Sequence, residues 1–389
     1  MRRIAGPYPA EWRTVPTVEW KGSRPVAADY PRMPPPRLVR AVELVRNGLS
    51  VAYRKMVPGQ LAVMELLAAG WLTQAIHAAA ELGVADALAA GPRSGAELAQ
   101  AVGADEDALH RLLRLLIGHG IFRRRRDGQY ALTPMARALR RDADVSLRDA
   151  ALFFGSPIHR DNWSHLVDAV RTGKPVGEAL HGMSFFEHAQ TDRTLGTLFD
   201  NAMTSIGSLG LAPLLAAYDF GRFETLVDVG GGEGTMLAEV LCRATQSRGI
   251  LFELPAVAET ATHRLAELGL ADRCTVERGS FFDAVPQGGD AYILKHILHD
   301  WPADDAGRIL DTVRAAMKPD ARLLIIELVV PENARPHPGK FIDLEMLVNT
   351  GGRERTVDEY RKFLARYGFR LRRVVPTVSP DNILEAEPA

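Results

Sequence analysis

From residue 225 onward the chain alternates short apolar runs with amphipathic helices, and this constrains the fold more than any other feature. "TLVDVG" reads as a strand, "TMLAEVLCRA" as a helix, "GILFE" as a strand and "AETATHRLAELG" as a helix. "CTVERGS", "AYILK", a helix over 303–317 and "RLLIIELVV" continue the pattern. Strands separated by helices must be joined by crossovers, so they pair in parallel and their helices cover both faces of the sheet. Near the end, "FRLRRVVPTVS" and "NILEAEP" flank Pro380-Asp381 with no room for a crossover. They predict a closing hairpin and therefore a mixed sheet with one antiparallel strand.

The first half has a different character. Residues 1–50 begin proline-rich ("YPRMPPPR"), and Trp12, Trp20 and Tyr30 suggest an arm packed on a partner subunit. Over 60–142 the pattern is helical. "LAVMELLAAGWLTQAIHAAAELGVADAL" pauses at Gly83, Ser94 and Glu97 form a capping box, and Gly103 turns the chain before Asp105 caps the next helix. Leucines 109, 112, 113, 115 and 116 are expected on that helix's inner side. "IFRRRRDGQYALT" follows as a hairpin around Asp127-Gly128. Two helices and a hairpin make a winged-helix pattern, so Arg123 to Arg126 could form a DNA-binding wing. With 47 basic against 48 acidic side chains, the net charge of −1 favours a solvated hairpin of a dimerisation domain instead, and argues against nucleic acid as a partner. The apolar surface of the helical region predicts a homodimer. The expected division is 1–50 extension, 51–165 winged-helix-like domain and 166–389 catalytic domain. Two cysteines in no metal or disulfide pattern suggest a reducing interior. No secretory run opens the chain, and no apolar segment was expected to reach the roughly 20 residues that span a bilayer. A cytoplasmic protein is the expectation.

"VDVGGGEGT" places Gly230, Gly231, Gly232 and Gly234 between the first strand and first helix of the α/β region, where backbone can approach a ligand closely. Glu253 ends the next strand 23 residues beyond Gly230, a spacing suited to ribose hydroxyls. The loop is neither G-x-G-x-x-G nor a P-loop, and Glu233 would repel a pyrophosphate. A nucleoside without phosphates fits, and S-adenosylmethionine suits both observations. "LKHILHDW" sets Lys295 and His299 four residues apart. Either they share a helical face, or a strand end runs into a short helix capped by Asp300.

With "FELPAV", "GSFFDAVPQGGDAYILKHILHDW", "IIELVVPE" and "GGRERTVDEY" in order, the chain from about residue 60 resembles the S-adenosylmethionine-dependent O-methyltransferases of the caffeate and bacterial polyketide and phenazine type. The resemblance implies an α/β fold. Its parts are a Rossmann-like class I methyltransferase sheet and an N-terminal, mainly helical, winged-helix-like dimerisation domain. It implies His299 as general base, flanked by Glu327 and Glu354. Lys295 lines the cofactor pocket, and Gly230, Gly232 and Glu253 contact the cofactor, with Glu where aspartate is frequent. Ser280-Phe281 falls at the adenine, where serine departs from the usual aspartate. Met203 and Asn349 line the acceptor pocket. Trp163, with Phe153, Phe154, Phe185 and Phe186, suggests a small aromatic acceptor.

The chemistry accounts for these residue types. A phenol ionises near pH 10, so a neutral imidazole must take its proton as the new C–O bond forms. A carboxylate at Nδ1 fixes the tautomer and stabilises the imidazolium, and Glu327 and Glu354 are the candidates. Lys295 then ends a strand and His299 begins a turn. Asp300 is expected to cap a helix starting at Pro302, and with Asp304 and Asp305 to answer the helix dipole rather than bind a metal. Two rivals remain: N-methylation or hydroxylation on the same scaffold, and a winged-helix DNA-binding ligand sensor.

Overall fold

The computed structural model describes residues 36–389, so the expected arm at Trp12, Trp20 and Tyr30 lies outside the described residues. The chain is helical from the start of this span: Pro36–Lys55 crosses the expected boundary at residue 50. The helix Gly59–Glu81 follows, and it corrects the expectation that no segment is long and apolar enough to cross a bilayer. Alanine, leucine and uncharged polar residues run through it, so its length and composition pass that test although it carries Glu65, His77 and Glu81.

Gly83 adopts a left-handed conformation at φ 68°, ending the turn after that helix. Ser94 and Glu97 cap the helix Gly95–Val102 reciprocally, and Asp105 accepts from the Ala108 amide at the start of Glu106–Gly118. On the latter helix Leu109, Leu113 and Leu116 are buried, but Leu115 is exposed. A helical turn of 3.6 residues cannot bring five leucines within eight positions onto one face. The hairpin forms from β1 (Phe122–Arg124) and β2 (Tyr130–Leu132). Arg124 donates to the Gly128 carbonyl and Arg125 pairs with Asp127, so these two arginines serve the hairpin itself.

The second part is a seven-stranded sheet. Its strands are β3 (Thr225–Val229), β4 (Arg248–Glu253), β5 (Cys274–Arg278), β6 (Ala291–Lys295), β7 (Arg322–Leu328), β8 (Phe369–Pro376) and β9 (Asp381–Pro388). The order is β5-β4-β3-β6-β7-β9-β8. The pairings among β3 to β7 are parallel, and β9 runs antiparallel to both its neighbours, β7 and β8. This is the expected mixed sheet, closed by a hairpin. The central strands are fully buried, with Leu226, Val227, Ile293, Leu294, Leu324 and Ile325 at 0% exposure, because helices pack on both faces. Strand order reverses between β3 and β6, and in such sheets the crevice beyond the carboxyl ends at that switch is where ligands bind.

Between the two parts lies a series of helices ending in the long Arg193–Ala217. Leu195 and Ala202 on this helix pack with Phe153 and Phe185. Farther along, its Gly207 and Gly210 meet residues at the ends of β6 and β9, so the helix walls the crevice.

Candidate active site

The glycine loop leaves β3 in positive φ at Gly230 (70°) and Gly232 (59°). The Gly232 amide donates to Glu253 Oε2 at 2.9 Å and the Leu254 amide to Oε1 at 2.8 Å, so Glu253 pins the loop to the end of β4. A carboxylate has about four acceptor positions, which leaves capacity for ribose hydroxyls. A Cβ on Gly230 would press into Ile297 and reach Phe281 at 3.4 Å, which sets Phe281 beside the loop. Ser280 Oγ accepts from the Phe282 amide at 3.2 Å and so caps the turn it begins.

Under the loop lies Asp228, buried, with neither carboxylate oxygen partnered among the described residues. Burial raises its pKa to about 7, against the pull of Lys295, and nearby Glu253 adds to the rise. Lys295 is itself lowered by burial, opposed by Asp381 and Asp228, and its Nζ lies 3.3 Å from where a Cβ on Gly207 would sit. Glycine at 207 lets the ammonium pass against the helix wall. Asp200, on the same helix, is raised by burial and by Glu233 and Glu253. Acids thus outnumber bases around a glycine cradle, and an orphaned carboxylate sits beneath it. That environment fits a cationic nucleoside and disfavours a phosphate-bearing one.

Lys295 ends β6, and the chain then makes a turn that answers the question posed by "LKHILHDW". His296 has φ 53°, alone among the described non-glycine residues in the left-handed region. Leu298–Asp300 is a single 3-10 turn, so Lys295 and His299 share no helical face. His299 is buried, and its Nδ1 donates to Glu354 Oε1 at 2.7 Å. Its backbone amide donates to Glu327 Oε1 at 3.0 Å, and Tyr360 Oη donates to Glu327 Oε2. The two acids therefore divide the work. Glu354 holds the ring and Glu327, at the end of β7, holds the turn.

Asp300 departs from expectation. It caps no helix: Ala303–Ala316 begins after Pro302, which occupies the capping position rather than the first helical one and offers no side-chain cap. The Asp300 carboxylate instead lies 3.5 Å from His299 Nε2. The 3-10 turn directs that side chain back over the ring. Burial would depress the His299 pKa, but Asp300, Glu354 and Glu327 outweigh it and lift it to about 10. Burial raises Asp300 to about 6 and also raises Glu327, each opposed by His299.

Of the residues expected at an acceptor, Met203 is 37% exposed on the helix wall, next to buried Ala202. Trp163 and Asn349 converge on one acid: Trp163 Nε1 donates to Glu345 Oε2 at 2.6 Å and Asn349 Nδ2 to Glu345 Oε1 at 2.8 Å. Phe186 stacks on Trp301 at 5.2 Å, and Phe153 packs edge-on to Phe185 and Phe199. Sequence reasoning missed Asp228, His296 with Asp381, Arg355 and Tyr360. Asp228, His296, Arg355 and Tyr360 stand inside the quoted motifs, but the burial of Asp228, the contact of His296 Nε2 with Asp381 at 3.3 Å and the Tyr360 bond to Glu327 depend on segments distant in sequence. Among the described residues no cluster suited to a metal ion forms.

A glycine cradle at the switch point and a histidine–carboxylate pair just past the end of the neighbouring strand β6 are the features a nucleoside-dependent transferase would need. Residues 163–370 match the O-methyltransferase domain and residues 64–142 the O-methyltransferase dimerisation domain; the chain belongs to this S-adenosylmethionine-dependent family. It is 39% identical over 336 residues to the phenazine O-methyltransferase PhzM of Lysobacter antibioticus, covering 85% of this chain and 97% of that one. It is also 39% identical over 298 residues to the 8-amino-8-demethylriboflavin N,N-dimethyltransferase of Streptomyces davaonensis, covering 76% and 85%. The solved structure of a methyltransferase of calicheamicin biosynthesis, bound to SAH, superposes with a TM-score of 0.77 at 36% identity, covering 85% of this chain and 98% of that one. S-adenosylmethionine is the cofactor, as the loop and its acid suggested.

Proposed function

We propose that the chain methylates a hydroxyl, phenolic or quinol, of a small aromatic molecule, with His299 as general base. One observation carries this: the His299 ring is buried at a strand-end turn and fixed at Nδ1 by Glu354 at 2.7 Å, so that Nε2, 3.5 Å from the Asp300 carboxylate, is the ring nitrogen left for an acceptor. Gly230, Gly232, Glu253, Ser280, Phe281 and Lys295 would hold the cofactor, which when bound supplies an activated methyl group on a sulfonium. Its positive charge would offset the surplus acids around Asp228 and His299. That weakens their hold on the His299 proton and readies the neutral imidazole. Nε2 would take the proton of the acceptor hydroxyl as its oxygen displaces the sulfonium sulfur from the methyl carbon, and Glu354 and Glu327 would stabilise the imidazolium. Met203, Asn349 and Trp163 belong to the acceptor wall, the last two by positioning Glu345.

His299→Gln is expected to bind S-adenosylmethionine as the parent does, by calorimetry, and to lower kcat by roughly 10²–10⁴ on a panel of phenols followed by mass detection. Retention of the parent rate on a neutral phenol would rule out the base. N-methylation is the second reading, favoured by the riboflavin relative; an amine needs no deprotonated oxygen, so His299→Gln would then spare turnover of an aromatic amine.

We assign dimerisation to residues 51–165 and catalysis to 166–389. Leu61, Val63, Met64, Leu66, Leu67 and Trp71 are exposed around the helix Gly59–Glu81, an apolar surface that suits a second copy of the chain. The reading is of a cytoplasmic homodimer with no membrane or nucleic-acid partner.

A further inference from the structure

A further imidazole–carboxylate pair stands beside the residues assigned to the acceptor wall. His159, on the helix Pro157–Ser164, meets Glu345, on the helix Gly339–Asn349, with Nε2 at 3.0 and 3.1 Å from the two carboxylate oxygens. Their side chains are 10% and 12% exposed. The same carboxylate receives the Trp163 and Asn349 donors already described, so its acceptor positions are filled. Glu345 has no capacity left for a ligand and acts by fixing His159. A carboxylate only accepts, so Nε2 carries a proton, and the tautomer with that single proton presents Nδ1 as a lone-pair acceptor. Nδ1 has no partner among the described residues, yet it is not among the polar atoms sealed from solvent.

Two paths tie this ring to the catalytic turn. Phe153 lies 5.1 Å from His159 and 6.4 Å from Phe185, whose neighbour Phe186 stacks on Trp301, two residues past His299. The helix carrying Glu345 leads within a few residues to Arg353, whose amide donates to the His299 carbonyl at 2.8 Å. His159 and His299 are thus linked through a chain of packed aromatic rings.

We propose that His159 is a specificity-determining contact: its Nδ1 accepts a hydrogen bond from a second hydroxyl on the acceptor, so the substrate class is a dihydroxy aromatic. This rests on the O-methyltransferase reading above. A site built around a buried hydrogen-bond acceptor discriminates against an analogue that cannot donate to it.

The test compares dihydroxynaphthalenes with 1-naphthol and with the monomethyl ethers of the same diols, by kcat/KM with mass detection of the methylated product. The parent is expected to favour at least one diol over both monohydroxy partners by about tenfold or more, chiefly through KM. His159→Phe should bring that ratio near unity. His159→Asn, whose Oδ1 overlies the Nδ1 position, should keep part of it. Calorimetric binding of S-adenosylmethionine by each variant verifies that it is folded. Equal use of diols and monohydroxy acceptors by the parent, or an unchanged ratio in His159→Phe, overturns the proposal and leaves the O-methyltransferase reading standing. A parent that methylates none of the phenols overturns both.

Discussion

Glu354→Gln separates two effects of one carboxylate. Glu354 Oε1 lies 2.7 Å from His299 Nδ1, with the two side chains 0% and 8% exposed, so solvent screens little of the interaction. A charge-assisted hydrogen bond of this kind contributes about 1.5–3 kcal/mol, and one pKa unit corresponds to about 1.36 kcal/mol. Removing the charge of Glu354, one of the acids that raise the His299 pKa, should lower that pKa by about 1–2 units in the cofactor complex as in the free enzyme. The base acts when neutral, so kcat rises with pH through this pKa, and the ascending limb should move by that amount toward acid. The imidazolium formed in the transition state loses the same stabilisation, so the alkaline plateau should fall by roughly 10–100-fold. On the acid side a larger neutral fraction offsets the slower step, and parent and variant rates should converge. The assay is a pH profile of kcat at saturating S-adenosylmethionine with one phenol, whose own ionisation is common to both enzymes. A limb that stays in place or moves toward alkali refutes the assignment of Glu354 as the charge that holds the ring.

Ser280→Asp should keep the cap on the Phe282 amide and add a charged acceptor, tightening S-adenosylmethionine binding by up to about tenfold; weaker binding by calorimetry would mark serine as an adapted contact. Gly352→Ala would drive a Cβ into the His299 carbonyl, so it should cost about 1–3 kcal/mol of stability in denaturant titration and lower kcat as well, because the turn must shift. Trp71→Glu, at a 73%-exposed position, should convert a dimer into a species of the 42.6 kDa chain mass in light scattering, and a parent already at that mass would remove the dimer.

The parallel sheet was legible because each strand from 225 to 328 is a buried apolar run bounded by its own helix signals. The antiparallel strand was legible from Pro380-Asp381. Less legible was the reach of helix before residue 55, where Pro36 looks like part of a proline-rich tail yet suits a first helical position. His299, Glu327 and Glu354 could be named because they sit in short motifs. Their division of work could not, because whether a carboxylate faces a ring or an amide depends on the 3-10 turn at Leu298–Asp300. Asp300 shows the same limit. An acid just before a helix reads as a cap, but Pro302 holds that place and the acid turns inward. The Glu345 network joins residues more than 180 positions apart, and no local pattern announces it.

Strand β9 is made after both strands that flank it, and it runs between them. On the ribosome, β8 therefore emerges with no neighbour to bond, and the exposed edge of β7, which carries Glu327, waits uncovered. Domains fold as they emerge at about 5–20 residues per second, so the catalytic half is held open until its last strand slots in. Until then, Ile325, Ile326 and Leu328 present an apolar edge of the kind that recruits other chains. The prediction for expression is that shortening the chain before Asp381 yields aggregate rather than a smaller folded enzyme.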